Sequence, residues 1–446
     1  MATHIFRRKI YEQMLRWKER RGSTALLIEG ARRIGKSTIA EQFAKNEYES
    51  YILVDFTNCD REVIELFDDV RDLNFLFLRL QSIYGVSLIK GRSLIILDEI
   101  QFAPKARQAI KHLVADGRYH YIETGSLISI RKNTQGILIP SEETRVEMHP
   151  MDFEEFLWAT GKAPSVDLIR HSLENLRPLG DDTVRRLMRD MRLYMLIGGM
   201  PQAVASYLDT NNFIEVDQVK RDILSLYEED LLKVDPTGRL SQIFNSIPSQ
   251  LQKKADSFRV KDAIGRVRDT KAEELISELA ATKTVNLCYR TLDPETGLAY
   301  GYDMLKYKMY MGDTGLFVTQ IFRNTTSPDE NPYNRLLANR LQANLGYLYE
   351  NVVAQMLAAG GDKLFYYTFS DKESKKSYEI DFLIARQGKV CPIEVKSSAY
   401  RRHTSLDLFC EKFQRSIFQA YVLTTRDIID EGEKLKYLPV FMTPWL

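Results

Sequence analysis

The stretch TALLIEGARRIGKSTIAEQFAK constrains the fold of this chain more than any other. Thr24 to Glu29 is a short apolar run of β-forming residues, the pattern of a buried strand. Gly30-Ala31-Arg32-Arg33-Ile34-Gly35-Lys36-Ser37 matches G-x-x-x-x-G-K-[ST], and Thr38 to Lys45 reads as a helix. Strand, glycine-bearing loop and helix together predict a loop that cradles phosphates. Its glycines let backbone N–H groups turn inward, and the helix N-terminus adds partial positive charge. In this reading residues Gly30 to Thr38 bind a nucleotide, Lys36 reaches the β- and γ-phosphates and Ser37 holds Mg²⁺.

A second apolar run, SLIILDEIQ, ends in Asp98-Glu99. A buried parallel strand delivers its last residues to the ligand edge of a sheet. Asp98 is therefore expected to bind Mg²⁺ through water, and Glu99 to polarise the water that attacks the γ-phosphate. Alone, the run also reads as a strand followed by a solvated acidic turn. YHYIETGS, Tyr119 to Ser126, predicts another strand, with Thr124 or Ser126 placed to position the attacking water. The alternative is an ordinary loop there. YILVDF, Tyr51 to Phe56, predicts a further strand of the same sheet.

These stretches resemble the P-loop ATPases of the AAA+ class. RVEMHPMDFEEFLWATG and YMLIGGMPQAV narrow the resemblance to a set of bacterial and archaeal ATPases. In that set an AAA-like module is fused to a C-terminal domain of unknown function. GARRIGKST, LDEIQ, TGS, GGMP, DTGLF and EVKSS occur here in the family's order. Thr144-Arg145 stands where members often show Gly-Arg. Arg145 is the leading candidate for an arginine finger, Arg131 is the alternative, and a plain surface arginine is a third reading of either.

A chain of 446 residues is too long for one ordinary core, and about two to four domains are expected. The net charge is +1, from 62 basic and 61 acidic residues, so any nucleic-acid surface must be a local patch. Four cysteines without C-x-x-C spacing argue against a zinc or disulfide framework. MATHIFRRKIYEQ lacks the apolar core of a secretory leader, and no apolar run has the length of a membrane span. The expected setting is the cytoplasm.

From about Gly161 to Gln250 the pattern is helical, a lid or connector. DDTVRRLMRDMRLYMLIGG and FIEVDQVKRDILSLYEEDLLKV are amphipathic, and Pro201 suits a first helical turn. Then RVKDAIG, DTKAEELISELAATKTV, NLCYRT, DPETG and LKYKMYMGD give helix, helix, strand, turn, strand, the order of a winged helix-turn-helix. The family resemblance implies the same domain. Arg259, Lys261, Arg266, Arg268 and Lys271 are candidates for phosphate contacts. Solvated basic residues on a protein-packing module are the alternative.

Leu341 to Ala359 predicts an amphipathic helix containing Glu350, KLFYYTF a strand, and EIDFLIA with VCPIEVKSS a hairpin. Alternation puts Glu394 and Lys396 on one face of their strand, with Asp381 opening the partner strand. Two carboxylates and a lysine at one sheet edge suit metal-dependent phosphodiester cleavage. Asp381 and Glu394 would ligate Mg²⁺, Lys396 would orient water or stabilise the pentavalent state, and Glu350 would complete the acidic set. The segment resembles the PD-(D/E)xK nuclease superfamily, with Glu350, Asp381 and Glu394-Val395-Lys396 filling its motif. A surface ion pair and a nuclease fold kept as scaffold are the alternatives.

The expected architecture is thus multidomain α/β. Residues 1–160 form a P-loop NTPase parallel sheet and 161–250 a helical lid. Residues 251–330 form a winged helix-turn-helix, and 331–446 an α/β PD-(D/E)xK nuclease-like domain. The expected function is ATP binding and hydrolysis with action on DNA through the C-terminal domain. The rival is a nucleotide switch that binds a DNA or protein partner and cuts nothing. ATP and Mg²⁺ are the implied cofactors. Double-stranded DNA and a second copy of the chain are the candidate partners, and no membrane is expected.

Overall fold

The computed structural model describes residues 4–20, 22–125, 141–253, 255–295, 298, 301–323, 337, 346–370, 376–398, 400–430, 432 and 434–446. The chain forms two compact units. One comprises Thr3–His149 together with Ala281–Lys283; the other comprises Pro150–Ala280 and Thr284–Leu446.

The first unit is built on five strands: β1 (Ala25–Glu29), β2 (Ser50–Asp55), β3 (Ser93–Asp98), β4 (His120–Gly125) and β5 (Glu143–Glu147). All pairings are parallel and the order is β2-β3-β4-β1-β5. β1 and β3 are buried at every position, which is why they read as unbroken apolar runs rather than as alternating ones. Leu27, Ile52, Val54, Ile95 and Leu97 pack with Leu76, Phe77 and Leu80 of the helix Leu73–Tyr84 and with Ala106, Ile110 and Leu113 of the helix Pro104–Asp116. Gly85 and Gly117, each in a left-handed conformation, end those two helices.

The second unit carries the helices Asp181–Ile197, Pro201–Thr210 and Phe213–Val234, then an eight-stranded sheet. Its strands are β6 (Val285–Thr291), β7 (Tyr302–Met311), β8 (Leu364–Ser370), β9 (Ser377–Arg386), β10 (Lys389–Val395), β11 (Ala420–Thr424), β12 (Ile429–Asp430) and β13 (Leu435–Pro439). The order is β12-β13-β11-β10-β9-β8-β6-β7. The helices Val260–Ile264 and Asp269–Ala281 precede the β6–β7 hairpin, in the order read from the sequence. That hairpin joins the C-terminal strands, because β6 pairs in parallel with β8. The helix Gly346–Ala359 packs on β6, β7, β8 and β10, and the helix Thr404–Lys412 on β9 and β10.

The sequence stretches GGMP and DTGLF meet inside this unit. Asp313 caps the helix Thr314–Ile321, accepting from Leu316 N at 2.9 Å. Its carboxylate also accepts from Gly199 N at 2.6 Å and Gln355 Nε2 at 3.3 Å. The buried Lys220 ammonium donates to the carbonyls of Leu196, at 2.6 Å, and Gly315, at 3.3 Å. Gly315 sits against the end of the helix Asp181–Ile197 so closely that a Cβ would lie 2.3 Å from the Ile197 carbonyl oxygen. Both stretches therefore serve packing of the second unit.

Candidate nucleotide site and C-terminal carboxylate cluster

The loop Gly30 to Gly35 leaves the C-terminal end of β1 and enters the helix Lys36–Glu47. Gly35, at φ +95°, is its left-handed N-cap residue, a conformation that costs a side chain roughly 1 kcal/mol or more. Arg33 and Glu99 are also left-handed, at φ +68° and +52°. Strained non-glycine residues of this kind concentrate at ligand sites, where surrounding structure holds them.

Lys36 is 5 % exposed, and its Nζ donates to the carbonyls of Gly30 at 3.1 Å and Ala31 at 2.9 Å. Burial lowers its pKa, and the nearby Glu99 and Asp98 carboxylates oppose that shift. Ser37 Oγ donates to Asp98 Oδ1 at 2.7 Å, and the Thr124 hydroxyl donates to the same oxygen. Burial raises the Asp98 pKa, against the hydrogen bonds from Thr124 and Ser37. Thr124 Oγ1 also accepts from Glu99 N at 3.2 Å, and the Glu99 carboxylate accepts from the Gln101 side chain. Strand order explains the convergence. β4 lies between β1 and β3, so Thr124 stands between the loop and the acidic pair.

Arg145, in β5, donates to Glu143 Oε2 at 3.3 Å and lies in the electrostatic reach of Glu29 and Glu123. Arg107 is bidentate to Glu143, at 2.9 Å in both contacts, with both side chains buried. Ser126 and Arg131 lie outside the described residues.

In the second unit the β9–β10 register pairs Phe382 with Ile393, which brings Asp381 beside Glu394 at the next step. Asp381 Oδ2 accepts from Val395 N at 2.8 Å. Lys396 Nζ donates to Glu394 Oε1 at 2.5 Å, in a pair far less exposed than a surface ion pair. Glu394 Oε2 is buried without a hydrogen-bond partner. Burial, then the Asp381 charge, pushes the Glu394 carboxyl up to about 7, while Lys396 opposes the shift. Tyr310 donates to Glu350 Oε2 at 3.4 Å.

The donors fit a hard divalent cation in kind: all are carboxylate oxygens, and one is buried and orphaned. They are not preassembled, since no group of three or more His, Cys, Asp or Glu among the described residues is arranged to hold a metal. Three further members were not singled out from the sequence: Lys308 and Tyr310 on β7, and Glu379 on β9. The only local sign of Lys308 is a lysine inside the apolar end of its strand, KMYM.

Arg259, Lys261, Arg266 and Arg268 are exposed on and beside the short helix Val260–Ile264. Lys271 pairs with Glu274 at 2.9 Å.

Loop, strand order and the Ser37–Asp98–Thr124 cluster define the first unit as an AAA-type P-loop ATPase-like domain. Accordingly, residues 22–157 match the family model of an AAA domain. Residues 188–327 and 345–441 match two domains of unknown function, DUF8612 and DUF4143. An uncharacterised protein of Methanocaldococcus jannaschii, MJ1637, is 23% identical over 190 residues, 40% of this chain and 38% of that protein. The chain thus spans well under half the length of that relative. Among solved structures, the Aeropyrum pernix Orc1 protein in complex with DNA aligns with 75% of this chain and 95% of its own, at 12% identity and a TM-score of 0.28. The Thermotoga maritima RuvB Holliday junction branch migration motor aligns with 64% of this chain and 90% of its own, at 13% identity and a TM-score of 0.29. Superpositions this loose carry no argument, and the fold assignment rests on the sheet and the family match. No described helix is long and apolar enough to cross a membrane.

Proposed function

We propose that this protein binds and hydrolyses ATP in its first unit and acts on double-stranded DNA through a Mg²⁺-dependent, nuclease-like site in its second. The observation that carries the ATPase part is the meeting of Ser37, Asp98 and Thr124 beside the loop lysine. Lys36 would exchange the carbonyls of Gly30 and Ala31 for phosphate oxygens, and Ser37 and Asp98 would hold the Mg²⁺ that accompanies ATP. Glu99 takes the proton of the attacking water at its carboxylate, and Thr124 fixes the backbone from which Glu99 projects.

The nuclease part is supported by the Glu394–Lys396 pair beside Asp381. Asp381, Glu394 and Glu350 would hold a divalent cation, whose chemistry is to acidify water and offset phosphate charge. Lys396 orients the water or the scissile phosphate from its place on Glu394. The exposed arginines near the helix Val260–Ile264 suit the DNA backbone.

A second reading, a nucleotide switch that cleaves nothing, is favoured by the lack of a preassembled three-carboxylate group among the described residues. The two readings separate on incubation of the protein with supercoiled and linear DNA, Mg²⁺ or Mn²⁺, with and without ATP. Cleavage by wild type, lost in Lys396→Ala and Asp381→Ala while ATP hydrolysis persists, is the expected result. Intact DNA under every condition would leave the switch.

A further inference from the structure

The carboxylate cluster of the second unit contains a cation of its own. Lys308 is 8 % exposed, and its Nζ donates to Glu379 Oε1. Glu350 and Asp381 also lie within its electrostatic reach. The ammonium also lies 5.4 Å from the centre of the Tyr366 ring, which holds it on the side of β8. Two residues along β7, Tyr310 donates to Glu350. Across the cluster, Lys396 is the partner of Glu394. Four carboxylates (Glu350, Glu379, Asp381 and Glu394) thus share this part of the unit with two ammonium groups.

We propose that Lys308 is a resident counter-ion that holds Glu379 beside the other carboxylates and so sets how tightly the cluster takes a divalent metal. This rests on reading Asp381 and Glu394 as the metal-facing carboxylates. A buried ammonium and a metal ion compete for the same oxygens and repel each other across a weakly screened interior. A tethered cation is always present at the site, whereas Mg²⁺ or Mn²⁺ must first shed water. The orphaned oxygen of Glu394 is hydrogen-bonded to neither Lys308 nor Lys396. It is the ligand that a weakly bound metal would meet first.

The test is Lys308→Met in the full chain, which keeps an apolar stem beside Tyr366 and removes the charge. Metal binding is read with Mn²⁺ by calorimetry and with Tb³⁺ by luminescence sensitised through Tyr310 and Tyr366. Lys308→Met should bind Mn²⁺ at least about tenfold more tightly than wild type, because a competing like charge is gone. Lys308→Met/Glu394→Gln should lose that gain, and Lys308→Arg should remain as weak as wild type. Loss of structural support alone would not raise affinity. Unchanged or weaker binding by a folded Lys308→Met would overturn the proposal. If that variant fails to fold, wild type and Lys308→Arg decide. Tight binding by wild type that Glu394→Gln abolishes overturns the counter-ion role; weak binding by both supports it. Tighter metal without DNA cleavage supports the role of Lys308 and overturns the nuclease reading. Cleavage by wild type with metal affinity untouched by Lys308→Met does the reverse.

Discussion

Lys36 is the loop's one ammonium directed at its own backbone carbonyls, and those bonds are replaceable by phosphate oxygens. Lys36→Ala should weaken ATP binding by roughly a hundredfold or more, about 2.7 kcal/mol, measured by titration with a fluorescent ATP analogue. Glu99→Gln should bind ATP as wild type does while phosphate release falls by about two to four orders of magnitude, since the amide takes no proton. Wild-type turnover in that variant would move the base elsewhere. Glu123 poses a different residue-scale problem. It is buried with both oxygens unpartnered, and burial raises its pKa well above the ordinary carboxylate range, with Glu143 adding to the shift. An acid whose folded pKa is raised contributes most stability below its unfolded pKa and loses it as pH rises toward the folded value. The stability of wild type relative to Glu123→Gln should therefore fall as pH rises above about 5, by at most ~1.4 kcal/mol per pH unit. Urea denaturation across that range measures it, and a flat difference would mean that Glu123 is paired.

Among elements, the junction of the helices Asp181–Ile197 and Thr314–Ile321 leaves no room for a methyl group at Gly315. The obstructing atoms are backbone, so relaxation requires the helices to part. Gly315→Ala should lower stability by about 3 kcal/mol or more, read as the denaturation midpoint of the second unit or as soluble yield. The segment around the helix Val260–Ile264 makes the opposite kind of prediction, because its arginines are exposed. Arg266→Ala with Arg268→Ala should leave folding unchanged. If they meet phosphates, DNA binding should weaken and its slope against log salt should flatten by about two. Fluorescence anisotropy at several salt concentrations gives that slope, and an unchanged one would place DNA elsewhere on the protein.

At the scale of the whole molecule, each unit has its own sheet and helices, so each has its own stability to be shifted by its own ligand. Mg²⁺·ATP at about a hundred times its dissociation constant should stabilise the first unit by ~2.7 kcal/mol and leave the unfolding of the second where it was. Calorimetry should show one transition moving with ATP, with the movement absent in Lys36→Ala. A single transition that moves as one would mean that the units unfold together.

Much of this was legible in the sequence because it is local. The loop from Gly30 to Ser37, the buried strand ending at Asp98-Glu99, and the alternation that pairs Glu394 with Lys396 all lie within windows of a few residues. There, strand period and backbone freedom decide the outcome. The Lys36–Glu47 helix and the β9–β10 hairpin were likewise expected from periodicity and turn chemistry. What tertiary structure decided is long-range pairing. The insertion of β4 between β1 and β3, which seats Thr124 on Asp98, is a parallel crossover that no short window encodes. The pairing of β6 with β8 draws the β6–β7 hairpin into the C-terminal sheet and carries Lys308 into the carboxylate cluster. A lysine on an apolar strand has the same local pattern whether it reaches water or a buried acid. Only the partner strand brought beside it determines which charge it meets.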